Sequence, residues 1–253
     1  MPLLEARHLV KTYGHGVPAV DDVSFTIERG ETLGLVGESG SGKSTIARMV
    51  MGLIEPTNGE VLFDGHPLIG LPPRKLRQLR RRLQIVFQDP YAALNPRMRV
   101  QDIVAEPLII HRACPRSELR PKVAELLRHT GLDESAMPRY PHEFSGGQRQ
   151  RINIARALAL RPELIVLDEP LSALDVSVAA QIANLLRDLQ REFSLTYLFI
   201  SHSMPMVRYL SARIAVLHHG RMVEYGDAAQ ICNAPRELYT QMLLASTPEI
   251  HIA

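Results

Sequence analysis

The stretch 31-ETLGLVGESGSGKSTIARMV-50 decides how the rest of the chain is read. Its first part, ETLGLVG (31–37), is a short apolar run into a glycine turn, the profile of a buried strand. Residues 44–53 place Ile46, Met49, Val50 and Leu53 at helical spacing. Between them, Gly37-Glu38-Ser39-Gly40-Ser41-Gly42-Lys43-Ser44-Thr45 fits the pattern G-x-x-x-x-G-K-[ST]. Glycines let successive backbone N–H groups curl around an anion, and the helix starting near Lys43 adds the positive end of its dipole. Lys43 is expected to reach the β- and γ-phosphates of a nucleotide, and the Ser44 hydroxyl to ligate Mg²⁺. A strand before and a helix after set this loop apart from a glycine-rich turn that only matches the letters.

A second part of such a site stands at LIVLDEP (164–170), four apolar residues ending in Asp168 and Glu169. An acidic pair at the C-terminal edge of a parallel strand lies where such sheets bind ligands. Asp168 is expected to hold the magnesium, directly or through water, and Glu169 to orient and polarise an attacking water. A lone Asp-Glu pair also reads as a solvated turn; the phosphate loop is what turns the balance.

Further out, LLEARHLVKTYG (3–14), VDDVSFTIERG (20–30) and NGEVLFDG (58–65) read as strands ending in glycine-containing turns. PPRKLRQLRRRLQ (72–84) puts Leu76, Leu79 and Leu83 on one helical face among six basic residues, and LQIVFQ (83–88) returns to strand. From Asp89 to about Arg161 the pattern is helical, with expected breaks at Pro96, Pro107, Pro115, Pro121, Pro138 and Pro141. Strands resume at LIVLD (164–168), LTYLFIS (195–201) and RIAVLHH (213–219), with a helix over 176–193. GRMVEYG (220–226) reads as a hairpin arm and APRELYTQMLLAS (234–246) as an amphipathic helix. The expected architecture is one α/β domain: a nucleotide-binding core with a mainly parallel sheet (1–90 and 162–230), an antiparallel N-terminal β part, an inserted helical subdomain (91–161) and a C-terminal helix (231–253).

Bulk composition excludes more than it assigns. The 253 residues are 45% hydrophobic and 22% charged, ordinary for a globular protein, and a net charge of +2 gives no argument for nucleic acid. Cys114 and Cys232 lie far apart without metal-ligand spacing, which points to a reducing compartment. No signal pattern opens the chain, and no apolar run is long enough to span a bilayer. A membrane, if one matters, belongs to a partner. The basic run Arg74, Lys75, Arg77, Arg80, Arg81 and Arg82 reads as a solvated helix face, with anionic lipid or nucleic acid as the sharper alternative. His218 and His219, adjacent in a strand, should point to opposite faces.

Gln88 after LQIVF, FSGGQ at 144–148, SALD at 172–175 and His202 after LFIS complete an ordered set with GESGSGKST and LIVLDEP. In this order the chain resembles the nucleotide-binding subunit of an ABC transporter, a P-loop NTPase with a RecA-like core, over nearly its whole length. The resemblance implies ATP with Mg²⁺, held between two subunits packed head to tail. Ser145, Gly146, Gly147 and Gln148 would then meet, in trans, the γ-phosphate on the partner's loop, with Asp175 at the seam. Without the resemblance, SGGQ reads as a loop and helix cap. By the same likeness Tyr13 would stack on adenine, although it also reads as a strand tyrosine packing locally. Gln88 would ligate Mg²⁺ or sense the γ-phosphate, and His202 would hold the geometry of the attacking water. Two positions depart from the family pattern: Phe144 where leucine is usual, and Ser203 after the histidine where aspartate is usual.

Within that family, QDPYAALNPRM (88–98) resembles importer ATPases serving peptides, nickel or metal chelates and related solutes. That likeness implies a second ATPase subunit, identical or paralogous, two multi-span permease subunits and, indirectly, an external solute-binding protein, at the cytoplasmic face of a bacterial inner membrane. Tyr91 and Leu94 would offer apolar surface to a short helix of the permease. The segment ELYT (237–240) matches the family's HPYT region, and Cys232 alone cannot hold an iron–sulfur cluster. A soluble ABC ATPase acting in DNA repair or translation is the alternative reading, one that usually brings coiled-coil insertions or a second cassette.

Overall fold

The computed structural model describes residues 1–14 and 16–245. Its strands, in chain order, are Leu4–Lys11 (β1), Val20–Ile27 (β2), Thr32–Val36 (β3), Asn58–Phe63 (β4) and His66–Pro67 (β5), then Leu83–Val86 (β6), Leu164–Asp168 (β7), Thr196–Ser201 (β8), Arg213–His218 (β9) and Arg221–Asp227 (β10). The helices are Lys43–Val50 (α1), Pro73–Arg82 (α2), Pro90–Ala93 (α3), Val100–Ile110 (α4) and Arg116–His129 (α5), followed by Gly146–Leu158 (α6), Val176–Phe193 (α7), Met204–Leu210 (α8), Ala228–Asn233 (α9) and Leu238–Ala245 (α10).

Two sheets sort these strands by how many faces are covered. β1, β2, β4 and β5 form an antiparallel sheet in the order β2-β1-β4-β5, and β1 and β2 mix buried with exposed positions. The second sheet runs β10-β9-β3-β8-β7-β6, parallel throughout except for the antiparallel edge strand β10. Its central strands β3, β7 and β8 are buried at every residue, as a parallel sheet covered on both faces requires. One core lies between the two sheets and around α1, with Phe25, Phe63, Ile46, Leu33 and Leu198 in it. A second lies on the other face, where Ile182 and Leu186 of α7 and Val207 of α8 meet Phe199 and Ile214. A third joins α4, α5 and α6 through Val104, Leu127 and Ile152.

Several expectations need correction. α1 stops at Val50, Gly52 turns the chain at a φ of 59°, and Leu53 is exposed rather than on the helix's apolar face. Leu83 opens β6 instead of closing α2. Pro107 and Pro121 lie inside α4 and α5 and do not end them. The buried neighbours Val104 and Leu108 keep α4 packed on α5 and α6, which outweighs one missing hydrogen bond. α8 and α9 had no strong periodic signal, both being short. His219 leaves the strand into a left-handed turn at a φ of 46°, so the rings of His218 and His219 lie against each other, centroids 4.1 Å apart, and not on opposite faces. Within 234–246, Ser246 lies outside the described residues, as do 247–253 of the expected C-terminal helix.

A ring of four charges ties the two sheets together. Arg29 and Arg82 each contact both Asp64 and Glu163, with Arg29–Asp64 at 2.5 Å, Arg29–Glu163 at 2.5 Å and Arg82–Asp64 at 2.6 Å. Asp64 follows β4 of the antiparallel sheet, whereas Glu163 precedes β7 of the parallel one.

Candidate functional site

Parallel register puts the C-terminal ends of β3, β8, β7 and β6 side by side. Val36 pairs with Ser201, Asp168 with Ile200 and Val86 with Leu167. The residues that follow these ends therefore meet at one edge of the sheet, where open α/β sheets take their ligands. A cleft of about 840 Å³ opens there, and Lys43, Ser44, Thr45, Gln88, Glu169 and His202 are among its lining residues. Gly37, Glu38, Ser39, Gly40 and Gly42 of the loop line it too, whereas Ser41 is buried beneath.

The loop's glycines are demanded by close approach. A Cβ at Gly37 would stand 2.2 Å from the Leu217 carbonyl oxygen, and one at Gly42 would stand 2.5 Å from the Ala19 carbonyl oxygen, with Gly42 itself at a φ of 104°. Lys43 donates from Nζ to the carbonyls of Gly37 at 2.8 Å and Glu38 at 2.7 Å. Burial pushes the Lys43 ammonium below its ordinary range, against the attraction of Glu169, Asp168 and Glu38. A poorly hydrated cation of this kind acts strongly on any anion brought beside it.

Ser44 donates from its hydroxyl to Asp168 Oδ1 at 3.3 Å, and burial raises the Asp168 carboxyl above its ordinary range despite that bond. Glu169 holds a φ of 48°, in the left-handed region that non-glycine residues rarely adopt, fixed by its N–H donating to the Ile200 carbonyl at 2.9 Å. Its Oε2 lies 2.9 Å from His202 Nδ1 and accepts a long bond of 3.5 Å from Gln88 Nε2. The His202 ring carries its proton on Nδ1 when Glu169 is a carboxylate. Hydroxyl, carboxylate and amide oxygens at Ser44, Asp168 and Gln88 are hard donors that fit Mg²⁺ completed by water and phosphate oxygens. Among the described residues no group of three or more His, Cys, Asp or Glu offers a denser metal cage.

Other expected residues lie outside this cleft. Tyr13 is 53% exposed and absent from the lining, with Lys11 Nζ 5.4 Å from its ring centroid. None of Ser145, Gly146, Gly147, Gln148 and Asp175 lines it. Ser145 caps α6: its hydroxyl accepts from the Gln148 N–H at 3.3 Å, and the Gln148 side chain accepts from the Ser145 N–H at 3.0 Å. Asp175 caps α7, accepting from the Val178 N–H at 3.0 Å and the Ser177 hydroxyl at 2.9 Å, and the first of these bonds holds its carboxyl below the usual range. A Cβ on Gly147 would stand 2.4 Å from Val178 Cγ1, so the starts of α6 and α7 are in tight contact.

Ser203, at the position that departs from the family pattern, lines the cleft and donates its N–H to the Ser201 hydroxyl at 3.0 Å. Tyr91 is 64% exposed with the Arg149 guanidinium 3.7 Å from its ring centroid, but Leu94 is buried in the helical core and offers no surface. Of the basic run, Arg82 belongs to the four-charge ring and Arg77 donates to the Ile110 carbonyl. The sequence reading missed Ala19 and Leu243 in the lining, and Tyr239, whose hydroxyl accepts from the Glu38 N–H at 3.2 Å. No local pattern in the sequence signals a contact that spans 201 positions.

A family model described as ABC transporter matches residues 20–172. The chain is 54% identical over 251 residues to the oligopeptide transport ATP-binding protein OppF of Bacillus subtilis, covering 97% of this chain and 82% of that protein. It is 50% identical to the dipeptide transport ATP-binding protein DppF of Lactococcus lactis, covering 97% of this chain and 81% of that one. Among solved structures, a dimeric post-hydrolysis state of the ATP-binding cassette MJ0796 bound to ADP and Pi is similar with a TM-score of 0.80 and 33% identity, over 89% of this chain and 98% of that one.

Proposed function

Because the chain belongs to the ABC transporter family, whose members hydrolyse ATP to power transport, we propose that it is the ATPase subunit of a bacterial importer of peptides or similar small solutes. The observation that carries the catalytic part is the meeting of Gln88, Glu169 and His202 beside the phosphate loop in one cleft. The peptide assignment leans on the oligopeptide and dipeptide transport relatives and on QDPYAALNPRM. With transport proteins as the named relatives, the DNA-repair or translation reading has no support.

In this reading the loop amides and Lys43 hold the triphosphate, and Lys43 takes up charge that develops on the leaving oxygens. Glu169 accepts a proton from the attacking water, and His202 fixes the Glu169 carboxylate through its Nδ1–H. Ser44, Asp168 and Gln88 would hold Mg²⁺, which supplies neutralisation of phosphate charge when bound. Ser145, Gly146, Gly147, Gln148 and Asp175 serve the nucleotide of a second ATPase subunit, a pairing supported by their position outside their own chain's cleft and by the dimeric neighbour. Tyr13, also outside the lining, is assigned to adenine. The helices within 91–161 form the subdomain that would meet two permease subunits at the cytoplasmic face of the membrane, with exposed Phe87, Tyr91, Ile109 and Ile110 as apolar surface. No helix among the described residues is long and apolar enough to cross a membrane.

Glu169→Gln removes the base and keeps the hydrogen bonds' shape. Phosphate release should fall by about a hundredfold or more, and ATP should hold the variant as a dimer on size exclusion. Wild-type turnover in this variant would remove Glu169 from the chemistry. Peptide uptake by the assembled transporter, lost with the same substitution, tests the solute class.

A further inference from the structure

The C-terminal helix reaches back to the phosphate loop through one side chain. We propose that Tyr239 is a positioning residue for nucleotide binding, its hydroxyl holding the first turn of the loop through the Glu38 backbone N–H; this rests on the reading of 37–45 as the ATP loop. The bond is 3.2 Å long, and its acceptor is set in place from both sides. The Tyr239 ring stacks on His218, centroids 3.9 Å apart and planes 21° from parallel. His218 is the last residue of β9, directly after Leu217, whose carbonyl oxygen lies against Gly37. On the other side, the Glu224 carboxylate accepts from the backbone N–H of Arg236 at 3.0 Å and of Glu237 at 3.3 Å, which anchors the chain just before α10. Leu243, one helical turn beyond Tyr239, lines the same cleft.

The geometry gives this bond a specific job. Lys43 holds Glu38 by its carbonyl, and its ammonium also bonds the Gly37 carbonyl. Tyr239 holds the same residue, Glu38, by its N–H. A glycine-rich loop has many conformations to lose on binding, so a tether already in place lowers the ordering cost. Gly220 adds a second tether farther along, donating its N–H to the Ser41 carbonyl at 3.1 Å. The ELYT segment thus acquires a role that its sequence alone did not assign.

Tyr239→Phe keeps the stack on His218 and removes the acceptor. In the full chain, KM for ATP should rise about three- to tenfold with kcat changed by less than about twofold, the size expected for one lost hydrogen bond. Thermal unfolding without nucleotide should stay near wild type, because the ring remains. Tyr239→Ala should raise KM at least as far and also lower Tm. A wild-type KM in Tyr239→Phe, or a fall in kcat with KM unchanged, overturns the proposal. Lys43→Ala separates the two levels of inference. If it abolishes ATP binding while Tyr239→Phe binds normally, only the role of Tyr239 fails; if it binds ATP like wild type, the loop assignment itself fails.

Discussion

Asp168 illustrates a residue whose placement works against the stability of the fold. It closes β7, buried, with the Ser44 hydroxyl as its hydrogen-bond donor and the Glu169 charge nearby. Burial raises its proton affinity in the folded state above that of the unfolded chain. Between the ordinary carboxylate midpoint and the raised one, the folded protein therefore binds more protons, and stability is lost as pH rises through that window. Above it the cost is complete. Asp168→Asn removes the charge and keeps an oxygen for Ser44. At pH 7 without nucleotide its Tm should rise by about 2–4 °C, the shift that ~1 kcal/mol produces in a chain of this size. ATPase activity should fall at the same time, since the proposed Mg²⁺ site would lose a charged ligand. Scanning fluorimetry decides the first part: a Tm equal to or below wild type at pH 7 contradicts the desolvation argument, and the difference should vanish in acid.

At the scale of elements, the starts of α6 and α7 meet because one of them lacks a side chain. Gly147 lies beneath Val178, and a Cβ there would stand 2.4 Å from Cγ1 of a β-branched residue with little room to turn. Gly147→Ala should therefore cost about 1–3 kcal/mol by overpacking and lower Tm accordingly. Gly147→Ala combined with Val178→Ala should recover most of that loss. Were the double variant no more stable than the single one, the clash would not be the reason for the glycine. The same contact joins the first turn of α6, capped by Ser145, to the first turn of α7, capped by Asp175.

For the molecule as a whole, the ring of Arg29, Asp64, Arg82 and Glu163 is one polar joint between the two sheets. Hydrogen bonds from Arg82, the largest influence on both, hold the Asp64 and Glu163 carboxyls below their ordinary values of 3.8 and 4.5. Stability from such groups is present above the unfolded-state values and is lost as pH falls through the lowered folded-state ones. The joint is partly exposed, so solvent limits what each pair contributes to about 1 kcal/mol or less. Glu163→Gln should lower Tm slightly at neutral pH and leave a shallower acid limb, the two proteins converging only once the lowered Glu163 carboxyl has taken up its proton. An acid limb identical to wild type would show that the ring contributes nothing. Ala19, directly before β2 of the antiparallel sheet, brings its carbonyl against Gly42 at the cleft.

By itself the sequence determined the parts that depend on neighbours along the chain. The phosphate loop between β3 and α1, the apolar run ending in Asp168 and Glu169, and the long helix over 176–193 were all legible, because local periodicity and glycine spacing encode them. Tertiary structure alone decided what meets across the chain. Gln88, Glu169 and His202 converge because three parallel strands end at one edge, and no local pattern states that register. Pro107 remains helical and Leu94 is buried for the same reason, since packing partners from other elements outweigh local preference. Tyr239 reaches Glu38 across two hundred residues, a contact that only the folding of α10 against the end of β9 could create.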